Sequence, residues 1–235
     1  MSAFYTGTPG VQAERTATPR QILLSQESAL YFPSAKVVDG SKSRDTGNTG
    51  DLDVLRGGML MGRITSGGKY CPACIGVMGV LHDTSVVTTT MTLPAAVVTE
   101  ISRRVGASGT FRITGPAAAS SVSGTTINSE AVTYSAIATA TTITITATTN
   151  DYAAGSLIGF NDGSYIPVGI LGKEDGLKVT DQDGTSQDTP LGHLLIGGIL
   201  KTASVPNWPS EIALAEWVKG KLALAGGSFS YDDIL

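Results

Sequence analysis

Residues 55–70 read Leu55-Arg-Gly-Gly-Met-Leu-Met-Gly-Arg-Ile-Thr-Ser-Gly-Gly-Lys-Tyr70. Leu55, Met59, Met61 and Ile64 are apolar positions set around Gly57-Gly58 and Gly62. Ser66-Gly-Gly-Lys69 supplies residues that tolerate positive φ, so the stretch reads as strand, tight turn, strand. The second strand is expected to begin at Lys69-Tyr70 and run toward Val80. Two later runs, Tyr165-Ile-Pro-Val-Gly-Ile-Leu171 and His193-Leu-Leu-Ile-Gly-Gly-Ile-Leu200, are apolar almost throughout and read as buried strands, with a polar loop from Lys173 to Pro190 between them.

Working outward, residues 1–50 carry scattered apolar residues broken by Gly7, Pro9, Gly10, Pro19, Pro33 and Gly40. This reads as an extended N-terminal arm with short strands at Arg20–Leu24 and Ala29–Phe32 and a mobile loop over Asp39–Gly50. Residues 93–105 have Val97, Ile101 and Val105 at four-residue spacing, with Thr92 as the expected N-cap and Gly106 as the terminator. The segments Thr110–Thr114, Glu130–Ser135 and Thr141–Ala147 alternate apolar and polar residues and are rich in β-branched side chains, the pattern of strands on a half-buried sheet. A second helix is expected from a Ser210 cap through Leu224, with Gly220 in its interior costing about 1 kcal/mol relative to Ala. The fold class is therefore mainly β: a small barrel-like core over residues 51–81 and 160–209, an inserted β-rich subdomain over 82–159 containing one helix, and a short C-terminal helix and tail over 210–235.

The chain has 235 residues, 15% charged and 6% aromatic, with a formal net charge of −4. That balance leaves no basic footprint for a phosphate backbone. No apolar run reaches the roughly 20 residues a membrane-spanning helix needs, and the Met1–Thr16 stretch has no secretory pattern, so no nucleic-acid or membrane partner is expected and synthesis in a cytoplasm is.

Four motifs carry chemistry on paper. Cys71-Pro-Ala-Cys74 has the spacing of a redox pair or half a zinc site, but there is no second cysteine pair, only His82 and His193 could complete it, and a Gly- and Val-rich strand follows where a thioredoxin-like centre needs a helix. Buried thiols or a local disulfide is the alternative. Ser66-Gly-Gly-Lys69 matches an S-x-x-K pattern that requires a helix, which two glycines disfavour. Asp181, Asp183 and Asp188 have calcium-loop density without the closing bidentate Glu. Glu100, Glu130, Glu174 and Asp175 are expected in polar loops or on exposed helix faces, with no partner that would make an acid–base pair. No enzyme activity, no metal and no cofactor are expected.

The 55–70 stretch resembles a segment of the lambda-type bacteriophage head decoration protein family, in which an N-terminal arm is followed by a pattern of the kind G-x-V-L-G-x-I-T-A-x-G-K-Y. Ile166-Pro-Val-Gly-Ile-Leu171 resembles that family's buried A-V-G-I-L strand, and Gly197-Gly-Ile-Leu-Lys201 sits where its last core strand lies. In the family the first two blocks are close together, whereas here Leu81–Gly159 separates them as an insertion. The resemblance implies a non-enzymatic virion protein, a homotrimer on the outer surface of an icosahedral head that cements the major capsid protein shell. It also implies an arm gripping neighbouring capsid subunits, for which Phe4, Tyr5, Ile22, Leu23, Leu24, Tyr31 and Phe32 are the apolar anchors. The competing reading is a virion surface protein whose inserted β domain binds a host receptor or glycan, although Phe111, Tyr134 and Tyr152 are the only aromatic residues there to serve as platforms.

Overall fold

A computed structural model of the chain describes residues 20–33, 36–79, 89–116 and 126–232. The protein is mainly β with two α-helices, α1 (Ala95–Val105) and α2 (Ile212–Leu224), set against two curled sheets. The larger sheet runs, in spatial order, Leu30–Tyr31, Leu194–Leu200, Pro167–Leu171, Leu60–Arg63, Tyr70–Pro72, Lys36–Val38 and Thr189–Leu191. An eighth strand, Ser228–Tyr231, lies parallel to Leu194–Leu200.

Connection lengths show why this sheet must curl. From Thr189–Leu191 round to Leu194–Leu200 there are five strand spacings, about 24 Å if flat. Yet Leu191 and Leu194 are three residues apart, a reach of at most about 11 Å. The sheet therefore rolls back on itself, and Val38, Met61, Leu171, Leu191 and Leu194 from five of its strands fill the interior together with Leu55, Leu177 and Val179. On the opposite face Leu60, Ile170, Leu195 and Leu200 pack with Ile22, Leu23 and the Leu214, Val218 and Leu222 stripe of α2. Both faces are covered, which is why these strands read as unbroken apolar runs rather than alternating ones.

Leu195 and Leu200 enter the same core although they are five residues apart, an odd number that strict alternation forbids. Gly197-Gly198 resolves this: Gly198 adopts φ +131° and resets the alternation. The turn at Ser66–Lys69 forms as expected, with Gly67 and Gly68 at φ +85° and +69°.

The strand expected to continue from Tyr70 to Val80 instead stops at Pro72. Ala73 donates to Leu60 O in the larger sheet, and two residues later Ile75 donates to Ile158 O in the second one. The chain has crossed. The second sheet runs Gly76–Val77, Leu157–Phe160, Gly109–Pro116, Ile127–Ile137, Thr142–Ile145 and Thr90–Thr92. Its own core is built on Phe111, Ile113, Val132, Tyr134, Ile143 and Ile158, closed by Val97, Val98 and Ile101 of α1. Leu157, Val77 and Ile127 turn the other way and pack into the α2 core, so the two sheets share a packed boundary.

Both helix starts differ from expectation. Pro94, not Thr92, occupies the α1 N-cap and contributes no side-chain bond, while the α2 cap is Glu211, whose carboxylate accepts from Leu214 N–H at 2.7 Å, rather than Ser210. The 39–50 stretch is not a mobile loop either. Buried Asp45 accepts from the Arg56 guanidinium and backbone and from Gly47 N–H, which fastens the stretch to the 54–60 segment.

Two glycine substitutions should move stability in opposite directions. Gly62 faces the return loop so closely that an added Cβ would fall 1.6 Å from Ser164 O, and Gly62→Ala is expected to destabilise by about 1–3 kcal/mol or more through overpacking. Gly220, inside α2, has nothing within 4 Å of a built Cβ and an ordinary φ, so Gly220→Ala should stabilise by roughly 0.5–1 kcal/mol. Paired denaturant titrations check both signs.

Candidate binding surface

Of the apolar anchors expected in the arm, Phe4 and Tyr5 lie outside the described residues. The others divide sharply. Ile22 and Leu23 are buried in the chain's own core under α2. Their backbone is captured too: Leu24 N–H donates to Ile199 O at 2.9 Å, Lys201 N–H to Ile22 O at 2.9 Å, and Phe32 N–H to Leu194 O at 2.8 Å. Arg20 is held by its N–H on Glu174 O and its guanidinium on Ser204 O. Phe32 is half-buried, with the Lys36 ammonium 4.0 Å above its ring. Leu24 and Tyr31, by contrast, face solvent, at 49% and 36% exposure.

The surface that remains apolar is thus smaller than the sequence suggested and includes two residues it did not single out, Leu30 and Ile199. The register explains the grouping. Leu23 pairs with Leu200 and Leu30 with Gly197, so Leu24, Leu30 and Ile199 share the face opposite the α2 core. Only the register, not the composition, could have revealed it.

The two sheets are held by Arg104, in the last turn of α1, whose side chain is 5% exposed. Its guanidinium donates to Lys42 O at 3.0 Å, approaches Cys71 Sγ at 3.5 Å, ion-pairs with Asp162 and lies 3.8 Å over the Phe160 ring. Arg103 beside it forks onto Glu100 and reaches Ser41 O. Glu100 is consequently buried and paired, not on an exposed face. At Asp162, burial works against the charged carboxylate, but the Ser164 hydroxyl, the Arg104 charge and the Ser164 N–H outweigh it and hold the pKa below its ordinary value.

The remaining motifs sit in structural roles. Cys71 and Cys74 are free, buried thiols at the crossing between sheets. Burial raises both, Cys74 to about 12 and Cys71 against the opposing Arg104 charge, so neither is a thiolate near neutral pH. Lys69 is ion-paired with Asp188 at 2.5 Å, and its hydrogen bond to that carboxylate raises its pKa, which removes it as a base for Ser66. Asp181 spends one carboxylate oxygen on Asp183 N–H and Thr185 N–H, closing its own loop. Glu130 pins the 149–152 loop by accepting from Thr149 and Asn150 N–H and from the Asn150 side chain and Tyr152 hydroxyl. Among the described residues, no three His, Cys, Asp or Glu side chains are placed to hold a metal, and no helix is long and apolar enough to cross a membrane.

No family model, curated protein or solved structure matches this chain.

Because Arg104 is buried and its partner Asp162 is half-buried, Arg104→Ala should destabilise by about 1–3 kcal/mol, below the range for a fully buried pair. Asp162 has a folded-state pKa below its ordinary 3.8. Its contribution is therefore present above about pH 4 and lost as pH falls through the lower folded value. The stability gap between wild type and Asp162→Asn, measured by denaturant unfolding, is expected to be full at pH 7 and to shrink steadily below pH 4.

Proposed function

We propose that this chain is a structural virion protein that binds the outer surface of an icosahedral phage head as a homotrimer and stabilises the shell of major capsid protein, without chemistry of its own. One observation carries the reading. The three blocks that resemble the decoration proteins occupy adjacent strands of one sheet: Gly62, Met61 and Leu60 pair with Pro167, Gly169 and Ile170, and Ile170 and Leu171 pair with Leu195 and Leu194. Blocks some 100 residues apart in sequence thus make one continuous unit, and the 89–160 segment is attached to it as a second sheet.

The arm supports the same reading in modified form. Residues 20–32 are bound to their own sheet, so Ile22 and Leu23 serve the fold, while Leu24 and Tyr31 are left to face a partner. A strand laid on a sheet edge gains main-chain hydrogen bonds without specialised side chains, and three tethered copies multiply weak contacts. The polar exterior of the second sheet, with Thr90, Thr92, Thr133 and Thr146 exposed, suits an outward-facing element.

The test is co-fractionation. Particles from a lysate that produces this protein, banded on a density gradient and probed with an antibody to the chain, should carry it in the head fraction at a fixed ratio to the major capsid protein. Recovery only in soluble fractions, or with detached tails, would contradict the proposal.

A further inference from the structure

Gly220 sits inside α2, where a glycine weakens the helix relative to alanine. Nothing within the described chain accounts for it. A Cβ built there meets no atom within 4 Å, whereas Gly62, Gly76 and Gly115 are crowded by their neighbours. The other described glycines with such open space lie in turns, in bends or at helix ends, where the backbone explains them. A helix-interior glycine without an internal neighbour leaves the helix backbone bare to something from outside.

The space in front of Gly220 is a groove of about 490 Å³ between α2 and Ser228–Tyr231, lined by Glu216, Lys219, Gly220, Ala223, Ser228 and Phe229. That volume lies within the roughly 300–1,000 Å³ of small-molecule sites. One wall is aromatic. Along the C-terminal strand Phe229 and Tyr231 alternate with exposed Ser228 and Ser230, and Trp208, Tyr231 and Phe229 form a chain of rings with centroids 5.8 and 6.3 Å apart. By contrast Phe111, Tyr134 and Tyr152, the platforms that the sequence offered in the inserted segment, are buried in the core of the second sheet. The rim of the groove carries an ion pair, Lys219 Nζ to Glu216 Oε1 at 2.9 Å, in which the Glu216 side chain is 63% exposed.

These features select the chemistry of the ligand. The rim pair is internally compensated, so the groove offers no net charge to an ion. An exposed carboxylate accepts hydrogen bonds from hydroxyl groups, and the negative face of an aromatic ring attracts polarised C–H bonds. The missing side chain at Gly220 lets a flat ring reach the helix backbone. A sugar ring presents both hydroxyl donors and a C–H face. We propose that the groove between α2 and the C-terminal strand binds one or two residues of a neutral saccharide, with Glu216 accepting from its hydroxyls and Phe229 packing against its ring. The site rests on neither the virion reading nor the inserted sheet.

Saturation-transfer NMR on purified full-length protein tests the site, with methyl glucoside, lactose and N,N′-diacetylchitobiose as probes. At least one probe should receive saturation. Glu216→Ala, at an exposed position, and Gly220→Leu, which fills the groove, should each weaken that binding by about tenfold or more at an unchanged circular dichroism spectrum. Gly220→Ala separates the groove from folding, because this variant is expected to be more stable than wild type and yet to bind less tightly, a combination that a folding defect does not produce. Absence of saturation in all the probes with wild-type protein overturns the proposal. So does wild-type affinity in any of the three variants, which would place the bound sugar elsewhere.

Discussion

The architecture depends on one buried cation. The chain leaves the larger sheet at Ala73, builds an entire second sheet and returns at Asn161–Ile166. Two sheets joined by two short crossings are fastened by the packed boundary beneath α2 and, beside the crossings themselves, by this cation. Arg104 does so by holding four segments at once: its own helix, the 40–42 turn, the strand at Cys71, and the return at Phe160–Asp162. An Arg suits the place because its planar fork serves several acceptors while its face stacks on a ring. The pair is not a free gain in stability, since removing charge from water is costly.

That constraint bears on how the protein can act. With Leu157, Val77 and Ile127 of the second sheet packed beneath α2, the inserted unit is continuous with the core. The arm is likewise committed, with Ile22 and Leu23 inside. Among the described residues most of the exposed large apolar side chains lie on strands, on the arm and on the outer face of α2. The chain's carboxylates and thiols are spent on loops, caps and crossings: Glu130 on the 149–152 loop, Glu211 on α2, Asp45 on the 39–50 stretch, Cys71 beneath Arg104.

Much of the fold was legible in the sequence where the signal is local. The Ser66–Lys69 turn, the alternating strands around Thr110–Thr114 and Thr142–Ile145, and α1 follow from φ tolerance and period alone. The crossing at Ala73–Ile75 was not, because the apolar stretch from Cys71 to Val80 has the pattern of one strand whichever sheet supplies its partners. Glu100 looked exposed because its burial comes from Arg103 and the 40–42 turn, groups distant in sequence or set by tertiary packing. The arm anchors were half legible: composition marks apolar residues, but only pairing with Leu194–Leu200 decides that Leu23 turns inward and Leu24 outward. Gly197-Gly198, read as part of a buried run, is also the place where alternation resets.

The proposed virion role is tested most directly by a cryo-electron microscopy reconstruction of heads purified from a lysate that produces this protein. Threefold protrusions are expected on the outer shell, each fitted by three copies of the rolled sheet with α2, the arm side toward neighbouring capsid subunits and the 89–160 sheet outward. A shell whose outer surface lacks that density, or density for this chain elsewhere on the particle, would contradict it.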